Sequence, residues 1–180
     1  MNINKYPEIK PGKKYIKRIY IAVMLWIVGR AIQAACRVDR EIKKEFAELP
    51  EHFSFSLGVL PTGPFMIISK DGEGRAKYDG WKKGRNSLPL EMNIKNIEAA
   101  FKVFSFQEST SVAFARERFI VNGDLGYALA IVRVLNIVEL YLLPKIITKL
   151  AVKRYHKWSE FSPVRKYVNR VLIYIRTFTF

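Results

Sequence analysis

The stretch from residue 88 to residue 143 limits most strongly what this chain can fold into. It reads as a strand, a short amphipathic helix, a second strand, an Asn-Gly-Asp turn and a long helix that is apolar on most of its circumference. From Leu125 to Leu143 the only charged or amide side chains are Arg133, Asn136 and Glu139, spaced by three along one stripe. A helix so widely apolar must be covered by protein core, by lipid or by a bound apolar ligand.

The residues before this stretch predict a helix and three strands. Apolar residues recur at intervals of three and four from Tyr15 to Leu49, which predicts one helix that Pro50 ends. Alternating or short apolar runs then predict strands over residues 52–60, 65–70 and 75–79. Residues 71–74, Asp-Gly-Glu-Gly, are typical of a hairpin loop between the last two.

The remaining elements of the core follow in the same way. We predict a strand around residues 88–92, a helix over Ile97–Phe104 capped by Asn93 or Asn96, a strand over 116–121 and a long helix capped by Asp124. The expected fold is α+β (α/β), with a mostly antiparallel sheet of about five strands flanked by helices and with extra N- and C-terminal helices.

Positive charge is concentrated at the two ends of the chain. Of the net charge of +15, residues 1–18 carry +5 and residues 144–180 carry +8, which leaves +2 for the 125 residues between them. A near-neutral core with cationic ends favours a polyanionic partner, either an anionic membrane surface or nucleic acid. Nucleic acid is the less favoured of the two, because the basic residues alternate with large aliphatic side chains that a phosphate-binding arm does not need.

The C-terminal region has the composition of a basic amphipathic helical extension. Its basic and aromatic side chains predict contact with a membrane surface through Lys149, Lys153, Arg154, Lys157, Trp158, Arg165, Lys166 and Arg170. The alternative is that these helices pack on the domain or on another subunit, with their basic faces in solvent.

Membrane insertion and extracellular location are both disfavoured. The apolar window from Ile19 to Cys36 has Arg30 at its centre, where a charge is costly in a bilayer, so a surface or buried helix is preferred over a spanning one. No secretory signal is evident, and the single cysteine cannot form an internal disulfide. We expect a cytoplasmic protein that associates peripherally with membranes.

The inventory of reactive side chains is small. One cysteine and two histidines show no spacing typical of metal ligands, and no phosphate-binding loop or nucleophile elbow is present. Asp124 follows a glycine turn and is interpreted as a helix cap rather than a catalytic carboxylate. The sequence thus predicts no enzyme activity, no catalytic residue, no metal and no cofactor.

The order of elements is similar to that of the sterol carrier protein type 2 (SCP2-like) family. The resemblance covers about residues 40–143 and depends on apolar positions and one turn, namely Ile97, Ala100, Phe101, Phe119, Val121, Gly123, Asp124 and Ala128. It implies a five-stranded sheet covered by helices, with an apolar tunnel for lipids or other hydrophobic molecules. It also implies three parts: a basic arm and apolar helix (1–39), an SCP2-like lipid-binding domain (40–143) and a C-terminal extension (144–180).

An aromatic cluster in and after the short helix is the candidate pocket. We expect a pocket for a hydrophobic ligand that is lined by Phe101, Phe104, Phe106, Phe114, Leu129, Val132 and Leu135. The alternative is that the same residues form ordinary core packing. A headgroup would meet Arg133 or Asn136, unless that stripe is only solvated. The leading function is non-enzymatic binding, or transfer, of a lipid or other hydrophobic ligand. The alternative is an accessory scaffold with this fold that binds a protein partner or forms a homo-oligomer and has no ligand of its own.

Overall fold

The computed structural model describes residues 14–81, 88–142 and 171–177. The elements are α1 (Tyr15–Val38), α2 (Arg40–Glu48), β1 (Ser54–Val59), β2 (Phe65–Lys70), β3 (Ala76–Gly80), β4 (Leu90–Ile94), α3 (Ile97–Phe104), α4 (Thr110–Ala115), β5 (Phe119–Gly123) and α5 (Leu125–Leu142). Residues 171–177 are helical.

The five strands form one mixed sheet in the order β3-β2-β1-β4-β5. The central pair β1–β4 is parallel, and the other three pairs are antiparallel. The hairpin between β2 and β3 turns at residues 71–74, where Asp71 accepts the backbone N–H groups of Glu73 and Arg75 at 2.9 and 2.8 Å. The predicted fold class, a five-stranded and mostly antiparallel sheet flanked by helices, is confirmed.

The predicted helix from Tyr15 to Leu49 is two helices. Asp39 adopts an extended conformation between them, and its carboxylate accepts from the backbone N–H groups of Glu41 and Ile42 at 2.8 and 3.1 Å. The same residue therefore ends α1 and caps α2. Apolar periodicity continues through Asp39, which is why the pattern alone did not reveal the break.

The other predicted elements are present, with β1 at Ser54–Val59 rather than 52–60 and β4 at Leu90–Ile94 rather than 88–92. Helices α3 and α5 begin where expected, and their caps are Asn96, which accepts from Ala99 N at 2.8 Å, and Asp124, which accepts from Gly126 N at 2.6 Å. The sequence prediction missed α4, a helix of six residues that is too short to show a period. Strand β5 begins at Phe119 rather than residue 116.

Helix α1 belongs to the core. Its buried face, which includes Ile21, Leu25, Ile32 and Ala35, packs across β2 and β3. The approach is close enough that a Cβ at Gly29 would lie 2.5 Å from the ring of Tyr78.

Two helices among the described residues, α1 and α5, are long and apolar enough by composition to cross a membrane, and core helices of soluble proteins meet the same criterion. In this fold both contribute buried side chains to the same hydrophobic core as the sheet. The division of the chain at residues 39 and 143 stays a prediction.

Candidate functional site: an apolar cavity beneath helix α5

A cavity lies between α5, the middle of the sheet and α1. Its apolar walls come from six elements and include Val28, Leu57, Ile94, Phe104, Phe119, Leu135 and Val138. The space open to the centre of a water molecule is about 20 Å³. That volume suits about one water molecule, so a larger occupant would have to displace side chains.

The polar groups at this cavity are Thr110 and Glu139. The hydroxyl of Thr110 donates to Glu139 Oε1, and its backbone N–H donates to the same oxygen at 3.2 Å. Thr110 is buried and the carboxylate side chain is partly buried. Burial raises the pKa of the Glu139 carboxyl to about 7, although both bonds from Thr110 lower it. The cavity thus has an apolar body and one polar end that changes its charge near neutral pH.

Three of the seven residues predicted to line a pocket do line this cavity: Phe104, Phe106 and Leu135. Phe106, in the connection between α3 and α4, has a positive φ of 60°, which is uncommon for a bulky residue. The connection therefore holds its ring beside the cavity in a backbone conformation that the surrounding structure must stabilise.

The other four predicted residues lie elsewhere. Phe101 packs against Tyr20 with ring centroids 5.4 Å apart, and Phe114 packs against Phe119 at 5.9 Å. Val132 is buried but does not line the cavity, and Leu129 is 42% exposed. Whether any of the seven contacts a ligand stays a prediction.

The two side chains expected near a headgroup make other contacts. Arg133 pairs with Glu45 of α2 through two bonds of 2.7 and 2.8 Å, and Asn136 donates to Ser111 at 2.5 Å. Both therefore tie α5 to neighbouring helices. The third member of the stripe, Glu139, is the one that faces the cavity.

Sequence reasoning found the stripe but not the importance of Glu139. The available signal was that Glu139 is the only carboxylate between Leu125 and Leu143. Its partner Thr110 could not be identified, because it lies in the helix that the sequence did not reveal.

No metal or membrane assignment comes from the described residues. Within residues 14–81, 88–142 and 171–177, no group of three or more His, Cys, Asp or Glu side chains could hold a metal ion. Cys36 is a free, buried thiol whose pKa is raised by that burial. All eight residues predicted to touch a membrane surface, from Lys149 to Arg170, lie outside the described residues.

The chain has an α+β fold of the kind that the SCP2 resemblance implies. Helices pack on a mixed five-stranded sheet, and an apolar cavity lies beneath the helix that follows the Gly123-Asp124 turn.

Solved structures similar to this chain are SCP2 domains. A UbiJ-SCP2 ubiquinone synthesis protein shares 10% identity over 68% of this chain and 98% of its own, with a TM-score of 0.44. The apo form of sterol carrier protein 2 from Yarrowia lipolytica shares 13% over 64% and 90%, with a TM-score of 0.41.

A third similar structure is that of palmitated SCP2L2 from Aedes aegypti, with 13% identity over 61% of this chain and 91% of its own, and a TM-score of 0.40. The chain matches no protein-family profile and no curated protein. At these identities the similarities concern the fold alone.

Proposed function

We propose that this chain binds a hydrophobic molecule, such as a lipid with a single apolar chain, in the cavity beneath α5, and that its role is binding or transfer without catalysis. The observation that carries the proposal is a cavity with apolar walls from six elements and polar groups, Thr110 and Glu139, at one end. Ligand sites of this kind are mostly apolar with a few placed polar groups.

The small volume requires the cavity to open around its ligand. Burial of each methylene contributes roughly 0.8 kcal/mol. Burial of a chain of about ten methylenes would therefore contribute roughly 8 kcal/mol to the binding free energy. The cost of moving side chains to open the cavity reduces this contribution. The connection that carries Phe106 is the best candidate for movement, because a strained backbone conformation stores free energy that opening releases.

The direct test is mass spectrometry of an organic extract from gently purified protein. A stoichiometric lipid or other hydrophobic molecule supports the proposal. A matched pair of variants then locates the site: Leu135→Phe adds volume inside the cavity, whereas Leu129→Phe makes the same change on the exposed side of α5. The extract should lose the molecule in the first variant and retain it in the second. Equal retention in two folded variants would place the ligand elsewhere.

We propose further that the protein acts in the cytoplasm and associates peripherally with anionic membranes. Support comes from the outward side of α1, where Ile16, Ile19 and Val23 are 85, 65 and 50% exposed and follow one another at intervals of three and four. Helix α1 has four basic and no acidic residues, which suits an interface with anionic lipid.

The membrane proposal is tested by sedimentation with vesicles that contain phosphatidylserine. Replacing Lys149, Lys153, Arg154 and Lys157 by glutamine should weaken binding several-fold, and salt should weaken it further. Charge substitution is preferred to deletion of residues 144–180, because Ile173 is only 1% exposed and packs in the core. Unchanged binding would show that this basic segment has no membrane role.

The alternative function is that of an accessory scaffold. The same exposed side of α1 would then be covered by a protein partner or by a second copy of the chain. An empty cavity in a stable oligomer, measured by extraction and by light scattering, would favour this alternative over the carrier.

A further inference from the structure

A second cavity lies at the C-terminal end of α1, and its character is opposite to that of the first. It opens to solvent, has a volume of about 370 Å³ and is lined by Cys36, Arg37, Lys43, Arg75 and Arg176. These residues come from α1, α2, the connection just before β3 and the helical residues 171–177. It shares no described lining residue with the cavity beneath α5.

The charges of this basic cavity are only partly compensated. Arg75 pairs with Glu73, and its Nε lies 3.5 Å from Asp71 Oδ2. Among the described residues no carboxylate lies within ion-pair distance of Arg37, Lys43 or Arg176. Four positive and two negative side chains thus leave two positive charges around one opening.

We propose that this basic cavity binds a phosphate group. Arg37 and Arg176 can each present parallel N–H donors to phosphate oxygens, and Lys43 adds a third cationic donor. Arg75, which is paired with Glu73, adds positive charge at the wall. A phosphate monoester near pH 7 carries close to two negative charges, which matches the uncompensated charge. The volume lies within the range of small-ligand sites, so the group that carries the phosphate also fits.

The packing of the chain brings these cations together at an electrostatic cost. Like charges at short range repel one another, and no described carboxylate neutralises three of the four. A bound oxyanion relieves that repulsion, so the anion should stabilise the fold as well as occupy the site. Buried Cys36, whose thiol accepts the backbone N–H of Ala76 at 3.4 Å, contributes no negative charge because burial raises its pKa.

The phosphate could belong to a soluble ester or to a phospholipid headgroup. Along the outward side of α1, exposed Ile16, Ile19 and Val23 come first, and Arg37 lies at the far end of the helix. If the basic cavity held a phospholipid headgroup, the exposed apolar residues of α1 would contact the bilayer while Arg37 contacted the phosphate. The test therefore includes a soluble and a lipid probe.

The soluble probe is glycerol 3-phosphate, titrated calorimetrically into the full chain at fixed ionic strength. We expect saturable binding of one equivalent and a rise in Tm that the same ionic strength of sodium chloride does not produce. The variant Arg37→Gln, Lys43→Gln, Arg176→Gln should bind at least tenfold more weakly. The control Arg40→Gln, Lys44→Gln, Lys102→Gln has the same net charge but changes exposed residues outside the cavity, and should bind within twofold of the parent chain.

The lipid probe is a vesicle of phosphatidylcholine with phosphatidic acid. If glycerol 3-phosphate displaces the protein from these vesicles, the basic cavity binds phospholipid headgroups. If glycerol 3-phosphate binds but the protein does not associate with the vesicles, the cavity binds soluble phosphate esters. Either result supports the proposal. If the triple variant does not fold, single substitution of exposed Arg37 or Lys43 should still weaken binding about threefold. Absence of saturable binding to both probes, or equal losses in the cavity variant and the control, would overturn it.

Discussion

Glu139 should make the stability of this protein fall with rising pH. Burial raises its pKa from 4.5 to about 7 in the folded chain, and in the unfolded chain the carboxyl returns to the ordinary value. Between these two values the folded state binds the proton and the unfolded state does not. The free energy of unfolding therefore decreases by about 1.4 kcal/mol per pH unit across this range.

The expected loss is about 3 kcal/mol between pH 4.5 and pH 8, most of it below pH 7. The stabilising contribution of the protonated form is complete below the unfolded pKa and disappears as pH rises through the folded pKa. Glu139→Gln removes this titration, and its amide oxygen can still accept both bonds from Thr110. The variant should match the parent chain at pH 4.5 and exceed it at pH 8 by about 3 kcal/mol.

Urea denaturation at four or five pH values between 4.5 and 8 measures this difference. Glu48→Gln is the matched control, because it makes the same substitution at an exposed residue of α2 outside the cavity. The comparison of the three proteins therefore isolates the carboxyl of Glu139. Parallel curves for the parent chain and Glu139→Gln would refute the view that this carboxyl is held in an apolar site.

Three further predictions concern the fold and the cavity. Gly123→Ala should lower the free energy of unfolding by about 2 kcal/mol or more in chemical denaturation, because the φ of Gly123 is +130° and the new Cβ would lie 2.5 Å from Pro89 O. The control Gly72→Ala has open space around the new Cβ and should have little effect in the same assay. Asp39→Ala should cost about 1–2 kcal/mol because it removes the cap of α2 and the acceptor of Tyr141, and Tyr141→Phe should reproduce only part of that loss. Arg133→Gln should change stability by less than about 1 kcal/mol and leave the amount of extracted ligand unaltered, since its partner is Glu45; lower ligand content would restore the headgroup role.

The sequence predicted the parts of this fold that show a long period or a strong local signal. Helix α5 and its Asp124 cap, helix α3 and its Asn96 cap, and the β2–β3 hairpin all have caps or turns within a few residues of the apolar pattern. The break at Asp39 and helix α4 were missed because they show no such signal. Asp39 interrupts the helices without changing the apolar period, and α4 is shorter than two helical turns.

The cavity was predictable in place but not in composition. Apolar residues after Gly123 indicated the helix that covers it, yet which side of that helix faces inward depends on contacts between elements distant in sequence. Thr110 and Glu139 are 29 residues apart and meet only because α4 packs against α5. The basic cavity joins Arg37 and Arg176 and needs the whole chain, so no local pattern could reveal it.

The bond from the Tyr141 hydroxyl to Asp39 Oδ2, 2.5 Å long, restricts how a guest molecule can enter beneath α5. Asp39 also holds the first turn of α2, and the next residue after Tyr141, Leu142, accepts the hydroxyl of Tyr174 at 2.8 Å. The C-terminal end of α5 is therefore attached to two other parts of the chain, and lifting it would break both bonds. Entry of the proposed ligand past the Phe106 connection would leave both bonds intact, so we expect the fold to open on that side while the C-terminal end of α5 stays in place.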